Sequence, residues 1–133
     1  VAKYITKTKK DAGHDGFVQT LFGRKRFIPE INSSAWNLRQ AAERMAINMP
    51  IQGTAADLIK MAMVEINLKL KNEKVKMLLQ VHDELIFEVS EGGVKKVAEE
   101  IKKIMENIYQ LSVPLEVDVE AGDNWGALER LDI

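Results

Sequence analysis

The chain has no cysteine among its 133 residues. That excludes a disulfide framework, a cysteine nucleophile and thiolate zinc sites, and it fits a reducing compartment such as the cytoplasm. No apolar run approaches the roughly 20 residues that span a bilayer, so no membrane partner is expected. No signal peptide is visible. No Met opens the sequence: Val1 leads straight into a lysine-rich stretch, which suggests a fragment of something longer. Internal repeats, low-complexity stretches and linkers are absent as well. At 133 residues, one domain over 1–133 with a real core is expected.

What is present is an ordinary globular composition, 46% hydrophobic and 29% charged, with an uneven charge distribution. Residues 1–60 carry 10 Lys and Arg against 5 Asp and Glu, a net of +5; residues 61–133 carry 9 against 15, a net of −6. A basic half beside an acidic half suits a protein that meets phosphates with one surface and holds metal ions with another. A solvated charge pattern without a partner gives the same numbers.

The most informative segment is Gln80-Val81-His82-Asp83-Glu84-Leu85. Val75–Val81 and Leu85–Val89 each read as a short, largely buried strand, which puts His82, Asp83 and Glu84 at the bend of a hairpin. A solvated turn accounts for three polar residues. Yet a tight turn usually uses Gly, Asn or Pro, and this one has none. An imidazole with two adjacent carboxylates offers metal-ligand chemistry that a plain turn does not need.

Around that segment the pattern predicts a helix over 1–12 broken by Gly13 and Gly16, then a hairpin from 17–22 and 24–28 closed by Pro29. Arg24, Lys25 and Arg26 follow its turn, either to reach phosphate or to protect an edge strand with charge. Asn32-Ser33-Ser34 offers a cap for a helix over 35–48, with Trp36, Leu38, Ala41, Ala42, Met45 and Met49 as its buried side. Arg44 and Asn48, four apart, share the other face. Pro50 is expected to end this helix. Thr54 would cap a second one reaching Lys71, with Asp57 favourable to its dipole and apolar residues nearly all round. An amphipathic helix follows from Val94 to Ile108. Residues 114–120 alternate as a strand with one acidic face, and Gly122-Asp123-Asn124-Trp125 reads as a turn anchored by its aromatic.

Four segments in this order resemble one family. They are Gly23–Pro29 (GRKRFIP), Arg39–Asp57 (RQAAERMAINMPIQGTAAD), Gln80–Leu85 (QVHDEL) and Gly122–Trp125 (GDNW). Together they are similar to the C-terminal part of a family A DNA polymerase, of the DNA polymerase I type. The similarity covers essentially the whole chain.

The resemblance implies an α+β fold in which a small antiparallel sheet, with strands near 76–81, 85–89 and 115–121, is backed by two or three helices. It implies a piece of the palm subdomain with the end of the fingers-to-palm connection. The implied activity is template-directed transfer of deoxynucleotides to a primer 3′ end with Mg²⁺, in DNA replication and repair. By the same resemblance Asp83 is a catalytic metal ligand, Glu84 lies in or beside the metal shell, and His82 sits near the primer terminus. Arg44, Asn48 and Gln52 would contact template or primer along the minor groove, and Arg24 and Arg26 would touch the DNA backbone.

The physical logic agrees. Phosphoryl transfer uses metals held by carboxylates, and grip on any sequence uses phosphates and groove acceptors common to all base pairs. The family's other catalytic aspartate, in an Asp-Tyr-Ser…Glu segment, and its nucleotide-holding fingers helix have no match here. The isolated chain is therefore expected to be inactive, with deoxynucleoside triphosphates bound through the unmatched region. The alternative is a non-catalytic nucleic-acid-binding module. The sheet left short of a strand is expected to expose Leu78, Leu79 and Phe87 and to self-associate.

Overall fold

Gly16 stops the first helix, α1 (Ala2–Asp15). Its φ of 73° is left-handed backbone that glycine adopts at no steric cost, and its N–H donates to the Ala12 carbonyl at 2.9 Å. The helix runs through Gly13, where the sequence places a first break. One glycine inside a helix costs only about 1 kcal/mol, and the Gly13 carbonyl is held by Asn32 Nδ2 at 2.8 Å. The computed structural model describes residues 1–71 and 75–133. Their contacts gather into two compact units, Val1–Asp57 and Leu58–Ile133.

In the first unit, β1 (Phe17–Gln19) pairs antiparallel with β2 (Lys25–Phe27), Phe17 opposite Phe27 and Gln19 opposite Lys25. Both strands are shorter than expected because residues 20–24 form the turn. The Thr20 N–H donates to the Arg24 carbonyl and the Gly23 N–H to the Thr20 carbonyl, both at 3.0 Å. A 3₁₀ turn (Pro29–Asn32) leads to α2 (Trp36–Lys69), whose start is held by Ser33 Oγ, accepting from the Ala35 N–H at 3.2 Å.

The sequence predicts two helices parted at Pro50; the structure has one, with Pro50 inside. Proline removes one backbone donor and crowds the preceding turn, at about 3 kcal/mol or more. Here the helix is held on both sides of the proline: after it, Gly53, Thr54 and Asp57 bond to the β1–β2 turn, and before it lies a buried stripe. Ala42, Ala46 and Met49, at positions i, i+4 and i+7, are buried with Ala12, Val18, Ile28 and Ile31. Thr54 is thus a mid-helix residue and no cap: its hydroxyl donates to the Pro50 carbonyl at 2.6 Å. Trp36 and Leu38, expected inside, are 60% and 53% exposed; Ala41 and Met45 are outside too.

In the second unit the same helix buries Leu58, Ala62 and Ile66 at four-residue spacing, followed by Leu70. Only that stripe is covered. Val64 and Leu68, expected inside an all-round apolar helix, are 60% and 55% exposed. Strand β3 (Val75–Val81) pairs antiparallel with β4 (Glu84–Val89), with an irregularity between Met77 and Leu79. A short 3₁₀ turn (Glu91–Gly93) leads to α3 (Val94–Glu106). As its spacing predicts, α3 buries Ala98, Ile101 and Ile104; its isoleucines cluster with Ala62, Ile66 and Leu70. Val75, Met77, Leu85 and Phe87 pack on that cluster, so one face of the β3–β4 hairpin is covered. Phe87, expected to be exposed, belongs to the covered face.

The strand expected over 115–121 shortens to β5 (Glu120–Ala121), which pairs with β6 (Glu129–Arg130) and not with the hairpin. The residues before it bond elsewhere: the Val117 N–H donates to Glu106 Oε1 at 3.2 Å, and the Leu131 N–H to the Val119 carbonyl at 2.8 Å. Among the described residues the strands form three two-stranded sheets beside three helices, an α+β arrangement as expected. The turn at 122–125 forms, but Trp125 does not anchor it, being 56% exposed. Asn124 closes it: its Oδ1 and its carbonyl accept from the Gly126 and Ala127 N–H groups, both at 3.0 Å. A Cβ at Gly122 would collide with the Ala127 carbonyl.

Candidate functional site

The β3–β4 hairpin narrows to a two-residue bend. Val81 is paired with Glu84, so Glu84 belongs to the strand and only His82 and Asp83 lie outside the ladder. His82 has φ 53°, the single non-glycine residue with positive φ among those described. Left-handed backbone at the first bend residue lets the twist of the turn match that of the strands, and it costs a non-glycine residue roughly 1–2 kcal/mol. Gln80 offsets part of that cost, its Nε2 donating to the His82 carbonyl at 2.6 Å. Asp83 is thereby presented from a short, fixed bend.

His82, Asp83 and Glu84 are all exposed. Neither carboxylate has a hydrogen-bond or ion-pair partner among the described residues. Nor do those residues gather three or more His, Asp or Glu side chains into one group able to hold a metal. The bend thus offers two adjacent oxygen donors and an open remainder. That suits Mg²⁺, which is typically held by one or two carboxylates, with water and substrate phosphates completing its octahedron.

The other predicted residues lie in the first unit. Arg44, Asn48 and Gln52 are exposed on α2, without partners among the described residues. At 3.6 residues per turn they form a gently drifting row about 12 Å long. One cation and two amide side chains in a row can donate to phosphate and to base-edge acceptors. The expectation that Arg44 and Asn48 share a solvent face is met, and the unbroken helix adds Gln52 to it. Arg39 and Glu43 on the same helix are engaged elsewhere: Arg39 donates to the Ser33 carbonyl at 3.0 Å, and Glu43 pairs with Lys9 at 2.6 Å.

The two hairpin arginines differ. Arg26 is exposed and has no partner among the described residues. Beside it, Lys25 Nζ lies 4.2 Å from the centre of the Phe17 ring. Arg24 is turned back onto α2: its Nε donates to Asp57 Oδ1 at 2.8 Å and its terminal nitrogen to the Gly53 carbonyl at 3.0 Å. The sequence reading missed Gln80 as the residue that fixes the bend, and Arg24 as a helix partner. The first had a signal, a lone amide inside an apolar strand. The second had none, because the two partners are 33 residues apart.

Comparison with known proteins agrees with the resemblance. The family-wide profile of DNA polymerase family A matches residues 1–127. DNA polymerase I from Thermus caldophilus is 50% identical over 125 residues, 94% of this chain and 15% of that protein. DNA polymerase I from Mycobacterium leprae is 46% identical over 129 residues, 96% of this chain and 14% of that protein. A solved structure of the POL domain of Pol1 from M. smegmatis, in complex with DNA primer–template and dNTP, superposes with a TM-score of 0.82 at 45% identity. It covers 86% of this chain, and this chain covers 21% of it. The chain spans about one seventh of the length of the curated relatives it matches. With both its sequence and its fold matched over most of its length, the chain belongs to DNA polymerase family A.

Proposed function

We propose that this chain supplies part of the palm of a DNA-directed DNA polymerase, which extends a primer 3′ end under the direction of a template. One observation carries the reading: in a family A chain, the unpartnered carboxylates of Asp83, in a two-residue bend held by Gln80, and of Glu84, the strand residue next to it, stand exposed together. Asp83, with Glu84 in or beside the metal shell, would hold Mg²⁺. When bound, the metal lowers the pKa of the attacking hydroxyl and stabilises the leaving oxygens. His82, one residue before Asp83, would lie near the primer terminus.

Arg44, Asn48 and Gln52 would follow the duplex. Arg44 supplies charge to phosphate; the two amides donate to groove acceptors that every base pair presents, so grip is independent of sequence. Arg26 would reach the DNA backbone. Deoxynucleoside triphosphates are the co-substrate, and the cytoplasm, with the chromosome, is the expected location. By itself the 133-residue chain would bind DNA and not extend primers, because the family's other catalytic aspartate and its nucleotide-holding fingers helix have no match in this sequence. That observation is also what favours the second reading, a non-catalytic nucleic-acid-binding module. Primer extension with the polymerase carrying this segment separates the two: Asp83→Ala abolishes extension on the first reading and leaves it intact on the second.

A further inference from the structure

The turn that joins β1 to β2 is fastened to one stretch of α2 by three hydrogen bonds. The Leu21 N–H donates to Thr54 Oγ1 at 2.9 Å, Arg24 Nε to Asp57 Oδ1 at 2.8 Å, and the Arg24 terminal nitrogen to the Gly53 carbonyl at 3.0 Å. The turn itself is closed on Thr20, which is 3% exposed; Thr20 Oγ1 accepts from the Arg24 N–H at 3.2 Å. Its methyl packs so near the helix that a Cβ on Gly53 would lie 2.7 Å from Thr20 Cγ2 and 3.4 Å from both Arg24 and Met49. Gly53 is what permits the approach.

The place of attachment has a physical reason. Pro50 has no N–H to give the Ala46 carbonyl, and the Thr54 hydroxyl turns inward to the Pro50 carbonyl at 2.6 Å. One turn of helix therefore lacks a normal backbone bond and carries a side chain that competes for another. Bonds from outside fall on the residues that follow the defect. Gln52, adjacent to Gly53, lies in the same weakened turn, and Asn48 lies just before it. At about 100° per residue, Arg44 falls on the side of α2 opposite Gly53, and Gln52 and Asn48 fall roughly 100–140° from it. The turn grips the back of the helix and leaves the row of Arg44, Asn48 and Gln52 open.

We propose that the β1–β2 turn is a splint for the duplex-facing stretch of α2, and that Arg24 is a positioning residue acting on DNA through Gln52 and Asn48 instead of touching phosphate. The proposal rests on the reading of that row as the duplex contact. It differs from the backbone contact that the resemblance assigns to Arg24. A positioning residue and a phosphate contact leave different marks: losing a phosphate contact lowers the salt dependence of binding by about one unit of slope, whereas misplacing a neutral donor lowers affinity at constant slope.

The test uses the polymerase carrying this segment, primer–template DNA and two readouts. Amide hydrogen exchange, measured without DNA, follows residues 51–57 against α3 as an internal control. Arg24→Ala and Gly53→Ala should speed exchange in 51–57 and leave α3 unchanged; exchange that stays the same overturns the splint. A salt titration of DNA affinity then compares Arg24→Ala, Gln52→Ala and the double variant. Arg24→Ala should weaken binding about three- to tenfold at unchanged slope. The double variant should bind only slightly worse than Gln52→Ala. The pair Arg24→Asp with Asp57→Arg should recover part of the loss. A slope reduced by about one unit, or losses that multiply, overturns the positioning role. If the parent polymerase binds DNA and Gln52→Ala costs nothing, the duplex row is refuted, and the exchange data still decide the splint by themselves.

Discussion

Val81 and Glu84 face each other as the last rung of the β3–β4 ladder, and only His82 and Asp83 turn the corner between them. His82 takes the left-handed conformation at φ 53°. A β-branched residue tolerates that region worse than histidine, and glycine tolerates it freely. His82→Val should therefore destabilise the fold by about 1–2 kcal/mol, while His82→Gly stays within about 0.5 kcal/mol of the parent. Denaturant unfolding with unchanged m-values checks this. Equal stability of the two variants would mean that the bend carries no such strain.

Arg44 is expected to grip phosphate. In the polymerase carrying this segment, Arg44→Ala should weaken primer–template binding for all sequences alike and lower the salt slope by about one unit. Gln52→Ala should weaken binding at a slope close to the parent's. An unchanged affinity and slope for Arg44→Ala would make it an ordinary solvated helix residue.

The outer face of the hairpin predicts self-association. Leu78 and Leu79 are 57% and 45% exposed, and neither β3 nor β4 has a second neighbour among the described residues. An open edge beside exposed leucines is a template for another copy of the chain. The 133-residue chain should form dimers at moderate concentration, and Leu79→Lys should return it to monomer. Sedimentation showing a strict monomer up to about millimolar would contradict this.

His14 sits 2.7 Å from Asp15, and the hydrogen bond, then the charge, of that carboxylate raise its pKa above the usual imidazole range. A raised folded pKa means that the His14–Asp15 pair contributes fully below the unfolded imidazole value, with Asp15 ionised, and is lost as pH rises through the higher folded one. Because His14 is exposed, the effect is read from its own titration. An NMR titration should place its midpoint above that of Asp15→Asn; coincident midpoints would rule the pair out.

Much of this was legible in the residues. The 3.6-residue spacing of Val94, Ala98, Ile101 and Ile104 gives α3 and its buried side without further information. The flanks of His82-Asp83-Glu84 give the hairpin, one residue off at its bend, because alternation fixes strands but not which residue takes the positive φ. Pro50 misleads, since local propensity sees the missing donor but not the tertiary contacts on either side of it, the packing of Ala46 and Met49 before and the bonds to Gly53, Thr54 and Asp57 after. The 114–120 alternation misleads in the opposite way. Period-two patterning predicts extended chain, yet pairing depends on a partner edge, and the Val117 N–H finds Glu106 instead. Trp36 is exposed because of its phase, about 120° round the helix from Ala42; Leu38 is in phase with Ala42 and Met49, and its 53% exposure has no such explanation.

The central claim is that Asp83 serves phosphoryl transfer. Single-turnover primer extension at saturating Mg²⁺, DNA and deoxynucleotide, in the polymerase carrying this segment, measures it most directly. Asp83→Ala should slow extension by about a thousandfold or more, with primer–template affinity within about threefold of the parent. Extension within about tenfold of the parent, at matched DNA affinity, would remove Asp83 from the reaction.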